Sequence, residues 1–284
     1  MAGQPQDAEP RGGPTRSRRH ESGAESARGL LFTVLGELVL PTGAAAWTSS
    51  FIEVLGRLGV EEKACRQALM RTAGDGWLAS ERTGRRTRWR LTPDAERLLT
   101  EGAERIYGFT AATPDWDGRF LMVLARVPES ERPARHLLRT RLIWAGLGSP
   151  SAGVWIGTHT ERAGQVEDIL KQAGIYDDAR IFTAQYHGGG PLGGLVQQAW
   201  DLPTLDTAYR AFLSGFESAD PLGDPLARVI DLVHTWRRFP WQDPALPREL
   251  LPATWPGEQA AARFTARRAA WSAAALDEWS RIEG

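Results

Sequence analysis

Lys63, Arg66, Gln67, Met70 and Arg71 follow one another at three- and four-residue spacing, so a helix over about 61–74 gathers them on one face. At about 100° per residue the five side chains fall within an arc of roughly 140°. Ala64, Cys65, Ala68, Leu69, Thr72 and Ala73 take the rest of the circumference. The polar face carries what a DNA major groove recognises. Arg or Lys donates to guanine O6 and N7, Gln pairs with adenine N6 and N7, and Met contacts a thymine methyl. The small residues opposite let such a helix pack closely on a neighbour. Many surface helices carry a charged face, so the segment that follows decides how much weight this one has.

That segment alternates apolar and polar residues around a glycine. Trp77 to Arg82, a turn at Thr83-Gly84, and Arg85 to Leu91 predict a β-hairpin. Arg85, Arg86 and Arg88 stand at or beside its tip, where a wing would follow the phosphate backbone or enter a minor groove. A solvated charged hairpin is the other reading, but three arginines without acidic partners are costly unless an anion balances them. Between Lys63 and Arg90 eight side chains are basic, against Asp75 and Glu81 as the two acidic ones. From Phe109 onward the count is 18 basic and 21 acidic, so the net charge of -1 hides a basic block on a mildly acidic chain.

No other constellation of side chains points to chemistry. The five histidines are scattered, none at metal-ligand spacing with another His or Cys. No nucleophile elbow or phosphate loop occurs, so no catalytic, metal or cofactor site is expected. Gly188, Gly190 and Gly193 spell G-x-G-x-x-G, but Pro191 interrupts it and no further strand-helix-strand unit follows; an interdomain loop is the expectation. Cys65, the single cysteine, excludes an internal disulfide and falls on the apolar side of its helix.

The elements that must position the polar face are legible around it. Leu30 to Leu40 is apolar at helical spacing and stops at Pro41. Thr48, Ser49 or Ser50 is a candidate cap for a second helix that buries Phe51, Ile52, Leu55 and Leu58 and ends at Gly59. Thr92-Pro93-Asp94 opens a fourth helix. Three helices and then a hairpin is the order of a winged helix-turn-helix. Residues 1–27 read as a disordered arm; its four arginines between Arg11 and His20 belong to a solvated tail or touch DNA backbone. Beyond a linker around Thr110 to Asp115, strands at Arg119–Val127, Gly153–Thr158 and Arg180–Tyr186 alternate with helices at Glu131–Ala145 and Glu161–Ala173. That alternation predicts a ferredoxin-like α/β sandwich. From Pro191 the pattern is helical and rich in Trp and Pro. The fold class is α+β, in domains 28–108, 115–190 and 191–284. No apolar run approaches a bilayer span and the N-terminus is polar, so the expected location is the cytoplasm, without membrane contact.

Several stretches resemble the PaaX-like regulators, the family named for the repressor of phenylacetate degradation. They are Leu38-Val39-Leu40-Pro41, the run Glu61 to Arg71, Gly74-Asp75-Gly76-Trp77-Leu78, and Gly153 to His159. Near the C-terminus they are Arg237-Arg238-Phe239-Pro240, Asp243-Pro244, Leu246-Pro247, Leu250-Leu251-Pro252 and Trp255-Pro256-Gly257, a Pro/Trp spacing that rarely arises by chance. The similarity covers roughly 28 to 275, and the N-terminal arm departs from it. It implies a dimeric repressor of double-stranded DNA with a winged helix, a ferredoxin-like centre and a helical C-terminal domain. In the founding members phenylacetyl-coenzyme A releases the repressor; this chain's effector is expected to be an aromatic acyl-coenzyme A or another ligand.

For that effector, Arg237 and Arg238 are candidates for the anionic part, with Trp155, His159 and Trp236 lining an aromatic pocket. Alternatively these residues staple the C-terminal domain to the central one. Ala260 to Trp279 is a candidate dimer interface. The central domain also resembles a CRISPR-associated metal-dependent nuclease fold, which places an Asp at the end of its first strand. Here that strand ends Leu124-Ala125-Arg126-Val127, so nuclease activity is not expected. The competing readings are an acyl-coenzyme A- or nucleotide-handling enzyme with an incidental basic helix, and a transcriptional activator.

Overall fold

The apolar run that begins at Leu30 forms a helix, α1, whose regular part spans residues 27–34. It widens into a π turn over Leu35–Val39 and closes as a tighter turn over Leu40–Thr42. Pro41 therefore sits inside the last turn rather than beyond it; the change of helix type absorbs the missing N–H. The computed structural model describes residues 27–111, 115–127, 131–217 and 223–284. The arm with its four arginines, and part of the linker near Thr110 to Asp115, lie outside them.

The described residues form two compact units. One comprises residues 27–100 together with Ala275–Gly284; the other comprises those between Glu101 and Ala274. In the first, a two-residue strand β1 (Ala46–Trp47) leads into α2 (Thr48–Arg57). The expected side-chain cap of α2 is absent: Trp47 holds the N-cap position. Thr48 Oγ1 instead donates to the carbonyl of Thr87 at 3.1 Å and accepts from Trp89 Nε1 at 2.8 Å. The buried face is Ser50, Phe51, Val54 and Leu55. Ile52 and Leu58, expected inside, are half-buried. Ile52 lies about 100° round from Phe51, and Leu58 is already past the helix end. Gly59, at φ +79°, turns the chain there, and the Val60 N–H closes the turn on Leu55 O at 3.0 Å.

Next comes α3 (Glu62–Gly74), burying Cys65, Ala68, Leu69 and Thr72. Strands β2 (Leu78–Thr83) and β3 (Arg86–Leu91) pair antiparallel with Thr83 opposite Arg86. The loop is therefore Gly84-Arg85, one residue later than expected. Gly84, at φ +61°, takes the first loop position, where a two-residue hairpin calls for glycine. β1 adds to β3, giving the order β1-β3-β2. Thr92 Oγ1 accepts from Ala95 N as α4 (Pro93–Gly108) begins. Residues 275–284 complete this unit: Trp279 is buried with its ring 5.9 Å from Phe51, and Glu278 pairs with Arg57 at 2.9 Å.

The second unit centres on four antiparallel strands. β4 (Arg119–Leu124) stops three residues short of the expected Val127. Then follow α5 (Arg132–Trp144), β5 (Gly148–Ser151), β6 (Val154–Gly157), α6 (Ala163–Gln172) and β7 (Arg180–Gln185). The order is β5-β6-β4-β7. β4 is apolar at nearly every position because both faces are covered. Leu121 and Val123 join Leu138, Leu142, Val166 and Leu170 on the side of α5 and α6, while Phe120 joins Ile156, Val196 and Trp200 on the other. β5 is an addition to the expected strands. Gly-Ser-Pro-Ser has no apolar alternation, and it succeeds as an edge strand, where proline is tolerated.

The helical remainder is α7 (Leu192–Ala199), α8 (Leu202–Gly215), α9 (Pro225–Trp236), the short α10 (Phe239–Gln242) and α11 (Gly257–Glu283). Its centre is an aromatic cluster: Tyr209 stacks on Phe239 at 4.2 Å and Trp236 on Phe264 at 4.7 Å. Of the stretch expected at a dimer interface, Ala260, Phe264, Trp271, Ala275 and Trp279 are buried within the single chain. That apolar stripe is the helix's own packing face.

Candidate nucleic-acid interface

The helix that packs by Cys65, Ala68, Leu69 and Thr72 necessarily turns its remaining arc outward. Lys63, Arg66, Gln67, Met70 and Arg71 are not among its buried residues, and all five are exposed. Met70, at 64%, is the most exposed large apolar side chain among the described residues. Arg66 bonds to Glu62 one turn earlier, at 2.7 Å, with both side chains more than half exposed. Such a surface i,i+4 pair contributes about 0.3–0.5 kcal/mol, so little holds the guanidinium back from a stronger acceptor. Among the described residues Lys63 and Arg71 have no carboxylate within ion-pair distance. Beneath this face Cys65 is fully buried. Burial pushes its thiol up to about 12, against the downward pull of Arg66 and with a smaller upward push from Glu62. It is a packing residue and an inert thiol.

The hairpin arginines divide. Arg85, in the loop, and Arg86 are exposed, and Arg88 is half-buried. The guanidinium of Arg86 lies 3.9 Å from the centre of the Trp47 ring, and that of Arg88 lies 4.4 Å from it. Register brings them there, since Trp47 faces Arg88 across the β1–β3 pair. No carboxylate forms an ion pair with any of the three among the described residues. Trp47 is fixed from behind as well: its N–H donates to both carboxylate oxygens of Glu283, at 3.1 and 3.3 Å. Between the hairpin tip and the starts of α2 and α3 lies a hollow of about 440 Å³, lined by Trp47, Ser49, Glu62, Arg66 and Arg86 among others. Donors and cations border this concave surface from two sides, with the carboxylates of Glu53 and Glu62 also in its lining. Such a surface suits a phosphate chain beside an edge of hydrogen-bonding bases.

Sequence reasoning finds the cations and misses three partners: Trp47, Glu62 and Glu283. Glu62 is detectable from its i,i+4 spacing to Arg66. The other two depend on strand register and on a contact between residues 236 positions apart, for which the sequence carries no local signal.

The five residues expected at an effector do not form one pocket. Trp155 belongs to the core between the sheet and α5 and α6. Trp236 is fully buried in the aromatic cluster, and its Nε1 donates to Ile106 O at 3.2 Å. His159 is buried between Glu161 Oε1 and Ala245 O, each 3.0 Å from a ring nitrogen. Arg237 is half-buried, and burial lowers its pKa from the ordinary guanidinium value. Arg238 is exposed. The glycines at 188 and 190 fall in the loop between β7 and α7. No parallel strand pairs with β7 among the described residues, as a dinucleotide fold would require.

Three family models match successive parts of the chain. Residues 26–95 match a PaaX-like protein, 113–196 the PaaX protein central Cas2-like domain, and 200–281 the PaaX-like protein C-terminal domain. The transcriptional repressor PaaX of Escherichia coli (strain K12) is 31% identical over 248 residues, covering 83% of this chain and 77% of the relative. Among solved structures, uncharacterized protein Rv0674 from Mycobacterium tuberculosis is similar with a TM-score of 0.61 at 25% identity. That match spans 90% of this chain and 98% of the other.

Proposed function

This chain belongs to the PaaX-like family, and on that premise we propose that it is a transcriptional repressor that reads double-stranded DNA with α3. In this reading the first unit is a winged helix-turn-helix. Lys63, Arg66, Gln67, Met70 and Arg71 enter the major groove, and Arg85, Arg86 and Arg88 are the wing on the flanking backbone. The observation that carries it is the run of cations on α3 and the hairpin with no carboxylate paired to Lys63, Arg71 or the wing arginines among the described residues. The four antiparallel strands with α5 and α6 are a ferredoxin-like centre, consistent with the β7-β4-β6-β5 order. The domains divide at about 28–108, 115–190 and 191–284.

Paired winged helices need two half-sites, so the acting species is a cytoplasmic homodimer on a roughly palindromic operator. An aromatic acyl-coenzyme A, such as phenylacetyl-coenzyme A, binds the larger unit and shifts the protein out of its DNA-competent arrangement. Arg237, half-buried and outside any ion pair among the described residues, is its candidate anion partner. The test is fluorescence anisotropy on the upstream intergenic DNA against random DNA, repeated with Arg66→Ala and Arg71→Ala. Specific binding reduced about 5- to 160-fold by either change supports the reading, that range being about 1–3 kcal/mol for each base recognised. Equal affinity for both DNAs in the unliganded wild type sinks it.

A further inference from the structure

We propose that Glu283 is a positioning residue for the wing: it holds the backbone of Trp47, and so fixes the indole on which Arg86 and Arg88 are stacked. This rests on the reading of the hairpin as a DNA-contacting wing. β1 is an edge strand, so one side of its backbone has no strand partner. The Trp47 N–H is an orphan of that edge, and Glu283 satisfies it with both carboxylate oxygens, at 3.1 and 3.3 Å. The carboxylate is itself held in place. Four residues before it Trp279 is buried with its ring against Phe51, and five before it Glu278 pairs with Arg57 at 2.9 Å.

The opposite side of Trp47 is where the positioning is needed. Two guanidinium groups share one ring, at 3.9 and 4.4 Å from its centre, and two like charges held at one site repel. No carboxylate forms an ion pair with either among the described residues, and Arg88 Nε is buried without a hydrogen-bond partner. What holds both is the indole ring, and a ring on a two-residue edge strand is only as fixed as its backbone. Removing Glu283 returns the N–H to water, loosens β1 and lets the two arginines splay. The last turn of α11, far from the hairpin in sequence, thereby sets how many phosphates the wing can grip.

The experiment is a salt titration of DNA binding by the full chain, with Glu283→Ala, Glu283→Gln, Trp47→Leu and Arg86→Ala. At about 0.1 M salt, releasing one phosphate weakens binding about eightfold and flattens log K against log salt by about 0.9. Glu283→Ala and Trp47→Leu are expected to release at least one phosphate in this sense, equally on operator and random DNA, leaving the specificity ratio unchanged. Glu283→Gln keeps an acceptor and restores most of the wild-type slope. A variant that merely unfolds loses active fraction but keeps the slope, and that outcome overturns the proposal. So does an unchanged slope in Glu283→Ala when Arg86→Ala flattens it; the DNA-contacting wing then stands and the positioning role falls. Should Arg86→Ala leave the slope at the wild-type value, the wing reading fails and takes this inference with it.

Discussion

Salt is the sharpest perturbation for an interface made of unpaired cations. Lys63 and Arg71 on α3, with Arg85, Arg86 and Arg88 on the hairpin, are five such groups in one unit. A cation seated in the groove displaces condensed counterions as one on the backbone does, so if each of the five neutralises the equivalent of one phosphate, log K falls with log salt at a slope of about -4.5 per protomer. Releasing Arg66 from Glu62, a pair of exposed side chains worth about 0.3–0.5 kcal/mol, brings in a sixth phosphate and steepens the slope to about -5.4. Raising salt from about 50 to 200 mM therefore weakens binding on the order of 500-fold for five phosphates. The assay is anisotropy on a labelled duplex carrying a single half-site, so that one protomer is counted. A full operator engaged by two protomers then doubles the slope. A half-site slope shallower than about -2 means that most of these cations do not meet phosphate, and the proposed interface is wrong.

Two further expectations concern the scaffold. Cys65, its thiol raised to about 12 by burial, resists iodoacetamide in the native chain at neutral pH and labels once unfolded in guanidinium. Because the folded state holds that proton more tightly than the unfolded one, Cys65 makes the fold less stable as pH climbs above the ordinary thiol range toward 12. Rapid labelling of native protein at about pH 7.5 contradicts the packing of α3. At Gly148, an added Cβ lies 2.5 Å from Ala199 O and 2.7 Å from the Trp200 ring, so Gly148→Ala forces β5 and α7 apart. The cost is about 1–3 kcal/mol, read as a lowered thermal midpoint, and an unchanged midpoint refutes the close approach.

What can be read in the sequence is what local periodicity decides. The arc assigned to the apolar side of α3 contains the residues that are buried, Cys65, Ala68, Leu69 and Thr72. The arc assigned outward contains none of them. The hairpin's periodicity locates its turn to within one residue. Failures begin where a tertiary partner overrides local chemistry. Thr48 has the right type and place to cap α2, but its hydroxyl is taken by Thr87 and Trp89 of the neighbouring strand. β5 is a strand because β6 offers it an edge, and nothing in Gly-Ser-Pro-Ser announces that. The buried stripe of α11 resembles a dimer surface because an apolar helical face looks the same whether its partner is another chain or its own core.

The contrast between the cations and the tryptophans has a physical cause. A guanidinium outside an ion pair is confined by its solvation to the surface or to an anion, so a run of unpaired arginines constrains location and partner together. An indole is under no such constraint. It is equally stable in a core, as Trp155 and Trp236 are, or as a half-exposed platform, as Trp47 is. Aromatic residues chosen for an effector pocket by type alone therefore fall into two separate cores. The tryptophan that borders the candidate interface stands across a strand pair from an arginine with no carboxylate in ion-pair reach among the described residues. The unpaired charge is what marks it: at this surface the aromatic residue is found by asking what a stranded cation must rest on.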